Sequence, residues 1–320
     1  MESKSSSDPM AYGFPLPLKA RYYPMGVPVE IITNSSDVLA VTDRMWAQYP
    51  AVAHAGLVTL RVAVENRNAA VPPRPAMPLG QNHLACIVQG PDNFLVCDLA
   101  ASFGFAWLTQ DVVSDRSYLR YHFLEPAVYL MADAGFLVPV HGSCVATGGR
   151  AILLCGESGA GKTSLAYGCA QRGWTYLADD ATHLVRGRAE RTVAGRPFSI
   201  RFRESARQLF PELSLHLSER RPNGKVDIEV DTLELGLTVA VQSSLGAFVF
   251  LNRQPGSPTT RIEPVAGEEA FRHLSAAICY GDERIRAEQT GTLREFLELP
   301  VFRLTYDDLD GAEEALRGLV

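Results

Sequence analysis

The stretch from Ala151 to Thr163, Ala-Ile-Leu-Leu-Cys-Gly-Glu-Ser-Gly-Ala-Gly-Lys-Thr, constrains this chain more than any other. A short apolar run meets a glycine-rich loop that ends in Lys162-Thr163, and helical spacing follows in Leu165, Ala166, Cys169 and Ala170. Strand, loop and helix in that order form a phosphate-binding P-loop. Gly156, Gly159 and Gly161 let the backbone turn so that the N–H groups of Gly156, Glu157, Ser158, Gly159, Ala160, Gly161, Lys162, Thr163 and Ser164 can face phosphate oxygens. In this pattern Lys162 reaches the β- and γ-phosphates and the Thr163 hydroxyl holds Mg²⁺. ATP and Mg²⁺ are the expected ligands. A glycine-rich turn that binds nothing is the bland alternative, and the strand-to-helix context weighs against it.

The carboxylates are the next constraint. An apolar run at 174–178 delivers Asp179-Asp180, and in open α/β sheets ligands bind at the carboxyl ends of the strands. One acid can take the proton of an attacking hydroxyl while its neighbour holds Mg²⁺ or orients a third group, because successive side chains of an extended segment point to opposite sides. An exposed Asp-Asp turn is the alternative. His141, on an apolar run at 136–146 that turns through Thr147-Gly148-Gly149 into the P-loop strand, is by itself as consistent with a structural histidine as with a functional one.

The pattern His141-Gly142, Gly156 to Thr163, Arg172-Gly173 and Ala178-Asp179-Asp180 resembles the catalytic domain of the HPr kinase/phosphorylase family. The resemblance extends over 140–320 and is specific as far as Asp180. It implies an α/β fold, a P-loop kinase domain of the phosphoenolpyruvate-carboxykinase-like type with a mixed sheet. It also implies that Asp180 deprotonates the acceptor hydroxyl, that Lys162 binds phosphate, that Thr163 serves the metal, and that His141 is an active-site partner; Asp179, as the neighbouring acid, is a further candidate metal ligand. Beyond Asp180 the chain departs from the family. Where bifunctional members carry a metal-binding Glu, this chain reads Arg196-Pro-Phe-Ser-Ile-Arg-Phe-Arg-Glu204, so Glu204 is either the substitute ligand or a surface residue. Where they carry an arginine-bearing loop, it reads Val239-Ala-Val-Gln-Ser-Ser-Leu245, and kinase activity without phosphorolysis is the expectation. Arg220, Arg221 and Lys225 lie on a turn-rich segment that reads as a solvated loop or, alternatively, a lid.

With 320 residues, the chain divides into a disordered tail at 1–9, a strand-rich α+β N-terminal module at 10–135, either separate or continuous with the core, and the P-loop catalytic domain at 136–320. In the module, alternation predicts strands at 28–32 and 58–65 and a hairpin of 83–89 with 93–99, while Asn34-Ser-Ser-Asp37 caps a helix to 48. Four prolines between 69 and 80 predict a loop without ladder pairing, and Pro126 splits or kinks a helix over 118–134. Further on, strands are expected at 245–251 and 301–304, and helices at 267–280, 285–297 and from 310.

A net charge of −6 without clustered Lys/Arg excludes a nucleic-acid-coating protein. The six cysteines form no C-x-x-C pair, and no apolar stretch has membrane-spanning length, so reduced thiols and a cytoplasmic location are expected. The acceptor is a hydroxyl, foremost a serine of a protein or peptide. A small-molecule hydroxyl acceptor, or a nucleotide-binding regulatory protein without turnover, remains open, and the resemblance is compatible with a homo-oligomer.

Overall fold

The computed structural model describes residues 14–51, 56–67, 77–220, 224–256, 259–278 and 280–320. Its first seven strands are β1 (Leu18–Tyr22), β2 (Val29–Thr33), β3 (Val58–Glu65), β4 (Met77–Gln81), β5 (Leu84–Gln89), β6 (Asn93–Asp98) and β7 (Phe103–Thr109). They form one mixed sheet in the order β1-β2-β3-β7-β6-β5-β4, parallel only where β3 lies between β2 and β7. Helices α1 (Ser36–Trp46), α2 (Gln110–Ser114), α3 (Arg116–Leu119) and α4 (Glu125–Gly135) accompany it. In the core, Val29, Ile31, Leu60 and Val62 meet Val38, Trp46, Val128 and Met131. Complete burial of each such side chain is worth about 1.5–3 kcal/mol.

Eleven strands follow: β8 (Leu137–Thr147), β9 (Arg150–Cys155), β10 (Thr175–Ala178), β11 (Ala181–Val185), β12 (Thr192–Ala194), β13 (Ser199–Phe202), β14 (Glu219–Arg220), β15 (Val226–Asp231), β16 (Gln242–Arg253), β17 (Arg261–Pro264) and β18 (Val301–Tyr306). Eight of them make a second mixed sheet, in which β16 runs parallel to both β9 and β18 and the remaining pairs are antiparallel. Strands β13, β15 and β14 form a separate small sheet. Helices α5 (Lys162–Gln171) and α8 (Leu309–Arg317) cover one face of the second sheet, burying Leu165, Ala312 and Leu316. On the other face, α6 (Gly267–Leu274) and α7 (Glu283–Phe296) bury Ala270, Leu293 and Phe296. The first core continues into this half through Val185, Ala194 and Ile285. The result is a mixed α/β protein with more than one mixed sheet.

Most local expectations hold, and the differences have physical reasons. Of the 69–80 segment, expected to lack ladder pairing, residues 69–76 lie outside the described residues, and Met77–Gln81 pairs antiparallel with Leu84–Val88. Pro78 is tolerated because β4 is the edge strand of its sheet, where a missing N–H removes no bond to a further neighbour. Asn34 does not cap α1; its side-chain amide bonds both the N–H and the C=O of Val64, tying the helix entrance to β3. Pro126 stands in the first turn of α4, and the helix breaks just before it in a single π-turn over Arg120–Leu124. The helix expected over 267–280 stops at Leu274. The small sheet was not foreseen. The 1–9 tail lies outside the described residues.

Candidate active site

The P-loop leaves the carboxyl end of β9, at the centre of the second sheet. Its three glycines take φ values of 144° (Gly156), 93° (Gly159) and 92° (Gly161), in the region that side chains rarely adopt. At Gly161 there is also no room, since a Cβ would stand 2.5 Å from the Tyr306 hydroxyl oxygen. That hydroxyl donates to Ala160 O at 2.8 Å, so the end of β18 props the loop from below. The sequence reading ended this strand two residues early and missed Tyr306.

Lys162 opens α5 and turns its ammonium back under the loop. Nζ donates to Gly156 O at 2.7 Å and Glu157 O at 3.2 Å, and the residue is buried without an ion pair among the described residues. Burial pulls its pKa below the ordinary lysine value, with Asp180 opposing the shift. A buried cation held only by carbonyls at the end of a glycine loop fits a nucleotide phosphate.

His141 and the two acids are brought together by the long strand β8. Its first half pairs with β11, placing His141 opposite Ala181, and its second half pairs with β9 and β10. Between β10 and β11 the chain kinks at Asp179-Asp180. Gly142 N–H donates to Asp180 O at 3.2 Å, the Ser143 hydroxyl donates to Asp179 O, and the Thr182 hydroxyl donates to Gly142 O at 2.9 Å. Gly142 is required by close approach, because a Cβ there would lie 2.7 Å from both Leu153 Cδ2 and Leu154 O. The consequence is that His141 Nδ1 stands 3.2 Å from Asp180 Oδ1, with both side chains largely exposed.

Asp179 points elsewhere. Its Oδ2 accepts the Arg201 N–H at 2.8 Å, and its carboxyl lines a cavity on the other side of the kink. Burial raises its pKa, opposed first by the Arg201 N–H. In the same wall Glu229 pairs with Arg120 at 3.2 Å and Arg201 at 3.3 Å. Burial alone would raise the Glu229 pKa, but the two guanidinium groups outweigh it and hold the carboxyl down at about 2.

Glu204, the third metal candidate, is exposed; it accepts from the Ser218 hydroxyl at 2.9 Å and lies 3.5 Å from Arg207. Among the described residues no three of His, Cys, Asp or Glu converge on a point that could hold a metal. Thr163, the second residue of α5, stands beside the P-loop, where a nucleotide's own phosphates would supply further oxygen ligands. Magnesium suits that arrangement, since it keeps several waters and takes few protein ligands.

Arg203 was not singled out from sequence. Its guanidinium donates to the Ser158 hydroxyl at 2.8 Å, and its charge acts on Lys162, so it supplies positive charge beside the loop. The signal was the alternation Arg201-Phe202-Arg203, which puts both arginines on one face of the strand end. Arg220 lines the cavity with Asp179, Arg221 lies outside the described residues, and Arg172 braces the C-terminal end of α5 through Gly168 O and Asp310. No described helix is long and apolar enough to cross a membrane. Five cysteines, Cys86, Cys97, Cys144, Cys155 and Cys169, are free thiols.

No family model matches the chain. Over 156 residues it is 34% identical to a HPr kinase/phosphorylase of Caldicellulosiruptor bescii, a match covering 47% of this chain and 43% of that protein. The chain thus spans less than half the length of this curated relative. Among solved structures, the Hpr(Ser) kinase/phosphatase from Coxiella burnetii aligns over 56% of this chain and 94% of its own, with 14% identity and a TM-score of 0.30. The chain is, on the strength of the curated match, similar in sequence to the HPr kinase/phosphorylase family.

Proposed function

We propose that this protein is an ATP-dependent kinase that transfers the γ-phosphoryl group to a hydroxyl, foremost a serine of a protein or peptide. One observation carries the reading: the Asp180 carboxylate stands against His141 and acts on the buried Lys162 ammonium at the end of the glycine loop. A general base beside a phosphate cradle is what hydroxyl phosphorylation requires, since phosphoryl transfer asks mainly for positioning and charge neutralisation.

Asp180 takes the acceptor's hydroxyl proton, the acceptor oxygen forms a bond to the γ-phosphorus, and the bond from the γ-phosphorus to the β,γ-bridging oxygen breaks, leaving ADP. Lys162 and Arg203 neutralise the charge on the transferred group, and the backbone amides from Gly156 to Ser164 hold the remaining phosphates. His141 orients Asp180. Thr163 would hold Mg²⁺, which would offset phosphate charge there. Asp179 supports the kink rather than the metal. The domain of 136–320 belongs, in this reading, to the phosphoenolpyruvate-carboxykinase-like P-loop type, and the 10–135 module contributes to acceptor recognition. The names of the two similar proteins make HPr the first acceptor to test.

Incubation with Mg²⁺, γ-labelled ATP, HPr, serine peptides and small hydroxyl compounds tests the proposal. Label transfer to a serine is expected. ATP binding with neither transfer nor ADP release for any acceptor would instead indicate a nucleotide-binding regulator.

A further inference from the structure

The P-loop rises from β9 between two unlike neighbours. On one side β8 carries His141, with Asp180 against it. Arg203 reaches the loop from that side too, since Arg201, two residues before it, is held by Asp179. On the other side lie β16 and then β18, both parallel to β9, so their carboxyl ends flank the loop. The groups suited to act on a γ-phosphoryl group thus all stand on the β8 side. A triphosphate laid through the loop with that end toward Asp180 directs its nucleoside the opposite way, over the carboxyl ends of β16 and β18.

Arg253 ends β16 at that place. Leu251 O lies 3.2 Å from where a Cβ on Gly156 would stand, so β16 passes beside the root of the loop. Arg253 is two residues further, about 7 Å along the strand. Alternate residues of a strand share a face, and Leu251 packs in one core with Leu165 and Ala166 of α5, which puts Arg253 on the α5 side. Its register partner is Tyr306, whose hydroxyl holds Ala160 O at 2.8 Å. Burial raises the Tyr306 pKa to about 12, and the nearby Arg253 charge opposes the rise.

The neighbouring polar side chains of this edge are already engaged. Asn252 donates to Thr305 Oγ1 at 3.2 Å, Asp307 accepts the Gly256 N–H at 3.0 Å, and Asp308 accepts the Gly311 N–H at 2.8 Å to cap α8. Arg253 is exposed and makes no ion pair among the described residues. Exposure alone would mark a solvated side chain. Its place beside the loop, opposite the reacting groups, is what gives it a ligand.

We propose that Arg253 binds the nucleoside end of ATP, its planar guanidinium lying against the adenine ring, and so sets the direction in which the triphosphate runs; this rests on the reading of the P-loop as a nucleotide site. Arginine suits the role because its guanidinium plane stacks on a base face while keeping its charge.

Calorimetric titration of MgATP and of magnesium tripolyphosphate into the full chain tests the proposal, because tripolyphosphate offers the phosphates without the nucleoside. Arg253→Ala should weaken ATP binding by about 10-fold, the scale of a cation–π contact, with tripolyphosphate affinity and the urea midpoint unchanged. Arg253→Lys returns the charge without the plane and should stay closer to Arg253→Ala than to the natural chain. Lys162→Ala should weaken both ligands. Unchanged ATP affinity in Arg253→Ala, equal losses for ATP and tripolyphosphate, or full recovery in Arg253→Lys would overturn the assignment. Absence of binding of both ligands to the natural chain would overturn the nucleotide site and this role with it, whereas ATP binding without label transfer to any acceptor would sink the kinase reading alone.

Discussion

His141 Nδ1 lies 3.2 Å from Asp180 Oδ1 although 39 positions separate the residues, because β8 pairs with β11 immediately after the Asp179-Asp180 kink. Three hydrogen bonds from Gly142, Ser143 and Thr182 lock the two backbones together at that point. The pair is thus a product of sheet register, and substitutions that disturb the register act on the site from a distance.

Gly142→Ala probes this directly. A Cβ placed 2.7 Å from Leu154 O meets backbone, which cannot swing aside as a side-chain end can. Overpacking of this kind costs about 1–3 kcal/mol. Urea unfolding should show a lowered midpoint with an unchanged slope, together with reduced turnover. An unshifted midpoint would mean that β8 and β9 are less closely apposed than described.

Lys162→Ala removes the buried ammonium from beneath the loop. Loss of a hydrogen bond to a charged group costs about 2 kcal/mol, so MgATP affinity should fall by about 30-fold in a protein that remains folded. Calorimetry reads the change, and unaltered affinity contradicts the assignment.

Arg203 is expected to act on the transferred phosphoryl group more than on ground-state binding. Arg203→Ala should therefore depress kcat by about 10-fold or more while changing ATP affinity little, and Arg203→Lys should restore part of the rate by returning the charge without the fork. Equal losses in ATP affinity and in kcat/KM would place Arg203 in nucleotide binding instead.

A buried pair outside the site sets a pH dependence of stability. Asp133 Oδ1 lies 3.4 Å from His183 Nε2, and burial pushes the acid up from 3.8 to about 8 and the imidazole down from 6.5 to about 3. Between pH 3.8 and 6.5 the folded state holds a proton on Asp133 that the unfolded state lacks, while the unfolded state holds one on His183, so the two effects oppose. Above pH 6.5 only Asp133 differs, and stability should fall as pH rises toward 8. Urea midpoints across this window should decline in the natural chain and stay level in Asp133→Asn. A level profile in both would remove the buried acid from the account.

The sequence displayed its local features well. The hairpin of β8 and β9 was readable from Gly148-Gly149, whose φ values are 58° and 81°, and the P-loop from its glycines. That Asp179 and Asp180 diverge followed from strand geometry. What stayed hidden depends on contacts between distant segments: the edge position that lets Pro78 pair, Tyr306 rising from the last strand to Ala160, and Arg203 reaching Ser158. Charge pattern along the chain also gave no sign that Glu229 would neutralise both Arg120 and Arg201.

The general-base role of Asp180 is tested most directly by turnover of Asp180→Asn and Asp179→Asn with an identified acceptor, measured across a Mg²⁺ titration alongside ATP affinity. The amide keeps the shape of the carboxyl but takes no proton, so Asp180→Asn should lose about 10²–10⁴-fold in rate at every Mg²⁺ concentration and still bind ATP. Asp179→Asn should retain far more activity. Near-normal turnover of Asp180→Asn at saturating Mg²⁺, or collapse of Asp179→Asn alone, would contradict the account.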